Sequence, residues 1–146
     1  MTEAWMAAAE ASVLRVRGTS GGAIGVGVLI GMRAAVTCAH VVNAALGRSA
    51  REESAPSDVI IEVDFPLLGL VPTQASVTGW APPPPAGDDI AVLTFLAQAP
   101  EGARPAKLRG GQPPPGTAVQ MFGVPTVRPA GVWSAATVRG RVSGGR

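Results

Sequence analysis

The sequence predicts an all-β chain: six short strands that close one antiparallel barrel, a linker, and two further strands. Three observations lead there. The 146 residues include 19 Gly and 14 Pro, a content that breaks helices and punctuates short strands. Short apolar runs, several of them alternating with polar residues, recur between those breakers. Charged residues are 15% and hydrophobic residues 47%, which excludes a charge-driven disordered chain and suffices for one core.

Each element follows from its residues. Residues 3–11 are an Ala-rich terminal arm with room for one or two helical turns. Residues 12–17 form a strand in which Leu14 and Val16 oppose Arg15 and Arg17. After the turn at 18–22, residues 25–30 form a second strand whose Gly25 and Gly27 signal close backbone approach or a sharp bend. Residues 34–37 are a third strand and 39–46 a helical turn, followed by a polar loop over 47–57. Residues 58–65 and 74–80 are the fourth and fifth strands. Pro82 to Pro85 with Ala86 and Gly87 exclude regular structure, and residues 89–95 are the sixth strand. Residues 97–116 hold Pro and Gly without periodicity, as linkers do. Residues 117–122 and 132–138 are the last two strands. Six strands close a barrel and remove its edges, whereas two cannot hold a core. The organisation expected is therefore an arm at 1–11, a first barrel at 12–96, a linker at 97–116 and the start of a second unit at 117–146.

Composition narrows function. Net charge is +2, from 12 basic and 10 acidic residues, and no basic run occurs, so neither a nucleic acid nor a membrane is an expected partner. The N-terminus carries two acids and no base, unlike a secretory signal. The longest apolar run, Ala23 to Met32, has four Gly or Ala in its ten residues and is too short to span a bilayer. Cys38 is the one cysteine and has no internal disulfide partner. These features point to a cytoplasmic protein. One His and one Cys are few ligands for a metal, and the glycine strings lack phosphate-loop and dinucleotide spacing, so no cofactor is expected. Trp5, Trp80 and Trp133 lie too far apart for a stacking stripe and read as packing residues.

Chemistry centres on His40, the only histidine. A lone histidine is commonly structural, but this one follows a strand end and opens a helical turn, a rigid mount for a group that titrates near neutrality. Asp88 and Asp89 precede the sixth strand. Either suits a turn cap, yet the apolar run after Asp89 calls for partial burial and hence a partner. His40 is the natural one: a carboxylate on Nδ1 sets the tautomer and leaves Nε2 as a base.

Thr37-Cys38-Ala39-His40-Val41-Val42 resembles the histidine motif of trypsin-like serine peptidases, commonly Thr-Ala-Ala-His. Residues 25–30 resemble the strand before it, Asp89-Ile90-Ala91-Val92-Leu93 the family's aspartate motif, and Phe122-Gly123-Val124-Pro125 a segment that opens the second barrel in bacterial members. The 49-position separation of His40 and Asp89 lies in the family's range. The resemblance covers roughly residues 12–142. It implies a chymotrypsin-like fold of two six-stranded barrels, of which this chain is the first plus the first strands of an incomplete second. It also implies His40 as general base, Asp89 as its orienting acid, and a peptide or protein as substrate.

The chain departs from that pattern in three places. No Gly-Asp-Ser-Gly-Gly occurs; Gly18-Thr19-Ser20-Gly21-Gly22 precedes the histidine and reads as a turn, as does Ser143, before Gly144 and Gly145. Val41 stands where secreted relatives often have Cys. Cys38 precedes the histidine and reads as a small buried thiol, not a nucleophile. The function expected is the N-terminal part of a serine endopeptidase, inactive as given, with its serine beyond Arg146. A non-catalytic binding or scaffolding module is the alternative, and a gene fragment without a stable fold a third reading.

Overall fold

The computed structural model describes residues 2–69, 72–125, 128 and 131–140. Helix α1 (Thr2–Glu10) leads into β1 (Val13–Arg17), β2 (Ala23–Gly31), β3 (Ala34–Thr37), the short helix α2 (Ala39–Ala45), β4 (Ile61–Asp64), β5 (Thr73–Ala81) and β6 (Ile90–Phe95). These six strands form a closed antiparallel barrel in the order β1-β2-β3-β6-β5-β4. Strands β7 (Ala118–Gly123) and β8 (Val132–Thr137) make a separate two-stranded sheet.

Alternation builds the barrel core. Leu14 and Val16 of β1, Ile61 and Val63 of β4, and Ala91, Leu93 and Phe95 of β6 all point inward and are buried, as a period of two requires. Phe65 and Phe95 meet edge-to-face at 6.3 Å, the arrangement favoured by ring quadrupoles. Two glycines admit close neighbours. A Cβ at Gly27 would lie 2.8 Å from the Val36 carbonyl oxygen, and one at Gly25 would lie 2.8 Å from Val41 Cγ2. The close approach expected of this strand is thus what its glycines serve.

Most buried polar side chains are paired, with Asn43 Oδ1 and Trp133 Nε1 as exceptions among the described residues. Asp64 accepts two bonds from Arg15, at 2.7 and 2.8 Å, and one from Arg17 at 2.7 Å. Burial pushes the Asp64 carboxyl up, but the hydrogen bonds from Arg15 and Arg17 outweigh it and hold it below the ordinary carboxylate value. Asn43 of α2 is fully buried, and its Nδ2 donates to the carbonyls of Ala50 and Glu52. Trp80 donates from Nε1 to the Glu53 carbonyl at 2.8 Å. The polar loop over 47–57 is therefore tied to the barrel by side chains outside it.

Several boundaries differ from those expected. The arm forms the full helix α1, and Ser12 stays outside β1 with its buried hydroxyl donating to the Ala9 carbonyl at 2.8 Å. The fourth strand shrinks to Ile61–Asp64, because Asp58 adopts a φ of 54°, a left-handed conformation that breaks an extended run. Residues 97–116 hold no strand or helix, yet they run along the barrel: the N–H groups of Ala99, Arg104 and Ala106 donate to the carbonyls of Met32, Ala11 and Leu29. Ala99 and Ala103 are buried there. Trp80 packs against the core and Trp133 packs on Phe122 at 5.2 Å. The Trp5 side chain and Ser143 lie outside the described residues. Among the described residues, no helix is long and apolar enough to cross a membrane.

Candidate active site

The site forms where β3 ends and β6 begins. Those strands pair with Thr37 opposite Ala91, so the sheet register alone brings the start of α2 beside residue 89. Thr37 is buried and its hydroxyl donates to the Val26 carbonyl at 2.8 Å, which anchors the end of β3 to β2. Cys38 then occupies the cap position of α2 with extended backbone and no side-chain capping bond. The N–H groups of the first helical turn are left for another acceptor.

Asp89 supplies that acceptor. Its Oδ1 accepts the His40 backbone N–H at 2.8 Å, and its Oδ2 lies 2.6 Å from His40 Nδ1. Burial pushes the Asp89 carboxyl up, but the bonds from the His40 side chain and backbone, with lesser help from the His40 charge and the Ala39 N–H, hold it below the ordinary value. An ionised carboxylate can only accept, so Nδ1 carries the proton and donates. In the neutral ring the lone pair then sits on Nε2. The His40 side chain is 51% exposed and the Asp89 side chain 20%. The pair therefore has one sheltered member and one that faces solvent.

Backbone geometry aims the carboxylate. Asp89 has a φ of 61°, uncommon for a residue with a Cβ. Its N–H donates to the Pro82 carbonyl at 3.1 Å. Gly87 packs so closely on that residue that a Cβ would lie 2.7 Å from the Pro82 oxygen. The proline loop is thus a mount for Asp89, and the strand starts one residue later than expected, at Ile90.

The structure brings His40 and Asp89 together. Asp88 is exposed beside them and Asp89 alone reaches the imidazole. Cys38 is a correction: it is exposed, not buried, because the sharp passage from β3 into α2 turns residue 38 outward and buries Ala39 instead. Partial desolvation of the thiol against its neighbours and the nearby Asp89 charge push it above the ordinary thiol value, opposite to what a nucleophilic cysteine needs. Donor atoms of Cys38, His40 and Asp89 lie within 4.8 Å of one another. Sequence reasoning missed the mounts at Thr37, Pro82 and Gly87; the proline run and its closing glycine were the available signal.

Beside the pair lies a cleft of about 570 Å³, lined by Val28, Val36, Cys38, Ile90, Phe122 and Trp133 among others. One wall comes from the barrel and the other from the β7–β8 sheet. Trp133 Nε1 is buried without a hydrogen-bond partner among the described residues.

Residues 25–146 match the family described as trypsin-like peptidase domain. Among solved structures, the inactive form of a serine-to-alanine mutant of Rv3671c from M. tuberculosis H37Rv is 25% identical, with a TM-score of 0.63 over 97% of this chain and 60% of that one. Neuropsin, a serine protease expressed in the limbic system of mouse brain, is 15% identical with a TM-score of 0.63, over 91% of this chain and 61% of its own. Kallikrein-related peptidase 10 in complex with Zn2+ is 16% identical with a TM-score of 0.63, over 91% and 59%. The chain thus spans about 60% of the length of these structures. No curated protein sequence matches it.

Proposed function

This chain belongs to the trypsin-like peptidase domain family, and from that premise we propose that it is the N-terminal part of a serine endopeptidase. In this reading His40 is the general base and Asp89 the group that orients it. The observation that carries the reading is the 2.6 Å contact from His40 Nδ1 to Asp89 Oδ2, with the imidazole half exposed beside an apolar cleft. Asp89 holds His40 by one bond to the ring at Nδ1 and one from its backbone N–H, so the neutral ring keeps its lone pair on Nε2, the basic tautomer. Nε2 takes the proton of a serine hydroxyl as that oxygen attacks the scissile carbonyl, then returns it to the leaving amine. Asp89 offsets the charge of the imidazolium in between.

The nucleophile and its oxyanion hole come from sequence beyond residue 146 in this proposal, since no Gly-Asp-Ser-Gly-Gly occurs within it and the Gly18-Thr19-Ser20-Gly21-Gly22 string is the turn between β1 and β2. The substrate is a peptide or protein, reached once the C-terminal half is present. The test is expression of the whole reading frame that contains this chain, followed by peptide-library cleavage and labelling with a fluorophosphonate. Cleavage and labelling that fall by roughly 10⁴-fold in His40→Ala support the reading. Cleavage unchanged in that variant refutes it. A frame that supplies no serine favours a second reading, a peptidase-like binding module. That reading draws on the same absence of Gly-Asp-Ser-Gly-Gly and on the apolar cleft.

A further inference from the structure

Cys38, His40 and Asp89 offer three kinds of donor, a thiol, an imidazole and a carboxylate, and one donor atom of each lies within 4.8 Å of the others. We propose that these three side chains form a binding site for a thiophilic divalent cation of the Zn2+ class. Zn2+ takes sulfur, nitrogen and oxygen ligands at about 2.0–2.3 Å. Tetrahedral geometry at those lengths sets neighbouring donors about 3.3–3.8 Å apart. Reaching that range requires the 2.6 Å contact between His40 Nδ1 and Asp89 Oδ2 to open by about 1 Å while Cys38 Sγ, within 4.8 Å of both, turns inward.

The mounts make this more than a chance cluster. Asp89 is held by its backbone bond to Pro82 and by the His40 N–H. His40 sits in the first turn of α2, and Thr37 pins the strand before it. Cys38 is the free-swinging member, exposed and without a capping bond, so it can turn its Sγ onto an ion held by the other two. The fourth position opens to solvent and takes water. On binding, the thiol releases its proton to solvent and ligates as thiolate. The imidazole ligates through Nδ1, the nitrogen beside Asp89, with its proton passing by way of solvent to Nε2, and the carboxylate contributes one oxygen. Mg2+ and Ca2+ prefer all-oxygen sites and are disfavoured by this donor set. The common Thr-Ala-Ala-His form of the motif has a methyl group where Cys38 stands, so the site belongs to this chain's own departure from its family.

Binding itself stands on this geometry. Only its consequence rests on the proposed function: a cation on His40 competes for the imidazole that would serve as base, which makes the site inhibitory. The two fail separately, because the test below needs no peptidase activity.

The experiment titrates the chain with Co2+ as an optical probe, then displaces it with Zn2+. The expected result is a thiolate-to-cobalt charge-transfer band in the near ultraviolet that saturates at one ion per chain and is abolished by Zn2+ but not by Mg2+. Cys38→Ala loses the band and weakens Zn2+ binding by at least about tenfold; Cys38→Ser does the same and guards against a packing effect of the alanine. Asp89→Asn keeps the band but weakens binding. No band at saturating Co2+, or Zn2+ affinity in Cys38→Ala and Cys38→Ser equal to the unaltered chain, overturns the proposal.

Discussion

Gly25→Ala isolates the contact that seats His40. An added Cβ would lie 2.8 Å from Val41 Cγ2 and 2.9 Å from Cγ1, about 0.6 Å inside the ordinary contact limit of 3.4 Å. Val41 is β-branched and sits in a helix, where one rotamer dominates, so it yields poorly. Overpacking of this kind costs about 1–3 kcal/mol. Alanine in place of glycine returns about 0.5–1 kcal/mol through the unfolded chain and strand propensity. The net expectation is a loss of about 1–2 kcal/mol. Strain on Val41 also displaces its neighbour His40 and lengthens the 2.6 Å bond to Asp89. Denaturant unfolding of Gly25→Ala, Val41→Ala and the double variant measures the effect. Val41→Ala removes both clashing methyl groups, so the double variant should recover most of what Gly25→Ala lost, a coupling of about 1 kcal/mol or more. A Gly25→Ala protein as stable as the original, or two losses that simply add, would refute the reasoning.

Two further outcomes are expected. In Asp89→Asn the amide can still accept the His40 backbone N–H but loses the charge that holds Nδ1–H, so nitrogen NMR of His40 should show the ring leaving the single tautomer; the stability loss is about 1–2 kcal/mol for one partly exposed charge-assisted bond, and an unchanged tautomer would count against the pairing. Asp64→Ala removes the carboxylate that Arg15 and Arg17 share at a nearly buried site and should cost about 1.5–3 kcal/mol in a urea melt. The pH dependence has a definite sign. Asp64 and Asp89 both have folded values below the ordinary one, so their contribution is complete above about 3.9 and is lost as pH falls through the lower folded values. A melting series should therefore drop more steeply on the acid side for the original chain than for Asp64→Ala, and parallel curves would contradict that.

Much of this was legible in the sequence, because alternation is local. Leu14 and Val16 against Arg15 and Arg17 announce a strand and its inner face without reference to any other residue. Ile90 to Phe95 does the same, and the only histidine with an aspartate ahead of an apolar run narrows the chemistry to two residues. Family-like strings at Thr37 to Val42 and Asp89 to Leu93 carry the fold further than periodicity does.

The rest depends on contacts between distant residues or on the sign of a backbone angle, and neither has a local pattern. Cys38 reads as one more small residue beside a strand; only the turn from β3 into α2 decides that it faces out and Ala39 faces in. The polar loop over 47–57 reads as free, yet Asn43 and Trp80 tie it down from either side in the chain. Residues 97–116 have linker composition, but their N–H groups find carbonyls in β2 and beside it. Asp58 and Asp89 take left-handed φ values in runs whose side chains favour extension, and at Asp89 the bonds to Pro82 and His40 outweigh a conformational cost of about 1–3 kcal/mol. The sequence by itself determined which residues are apolar, which can titrate and where strands can run. Closure of the barrel in register decided that Thr37 lies opposite Ala91, and so that the carboxylate of Asp89 reaches an imidazole 49 positions away.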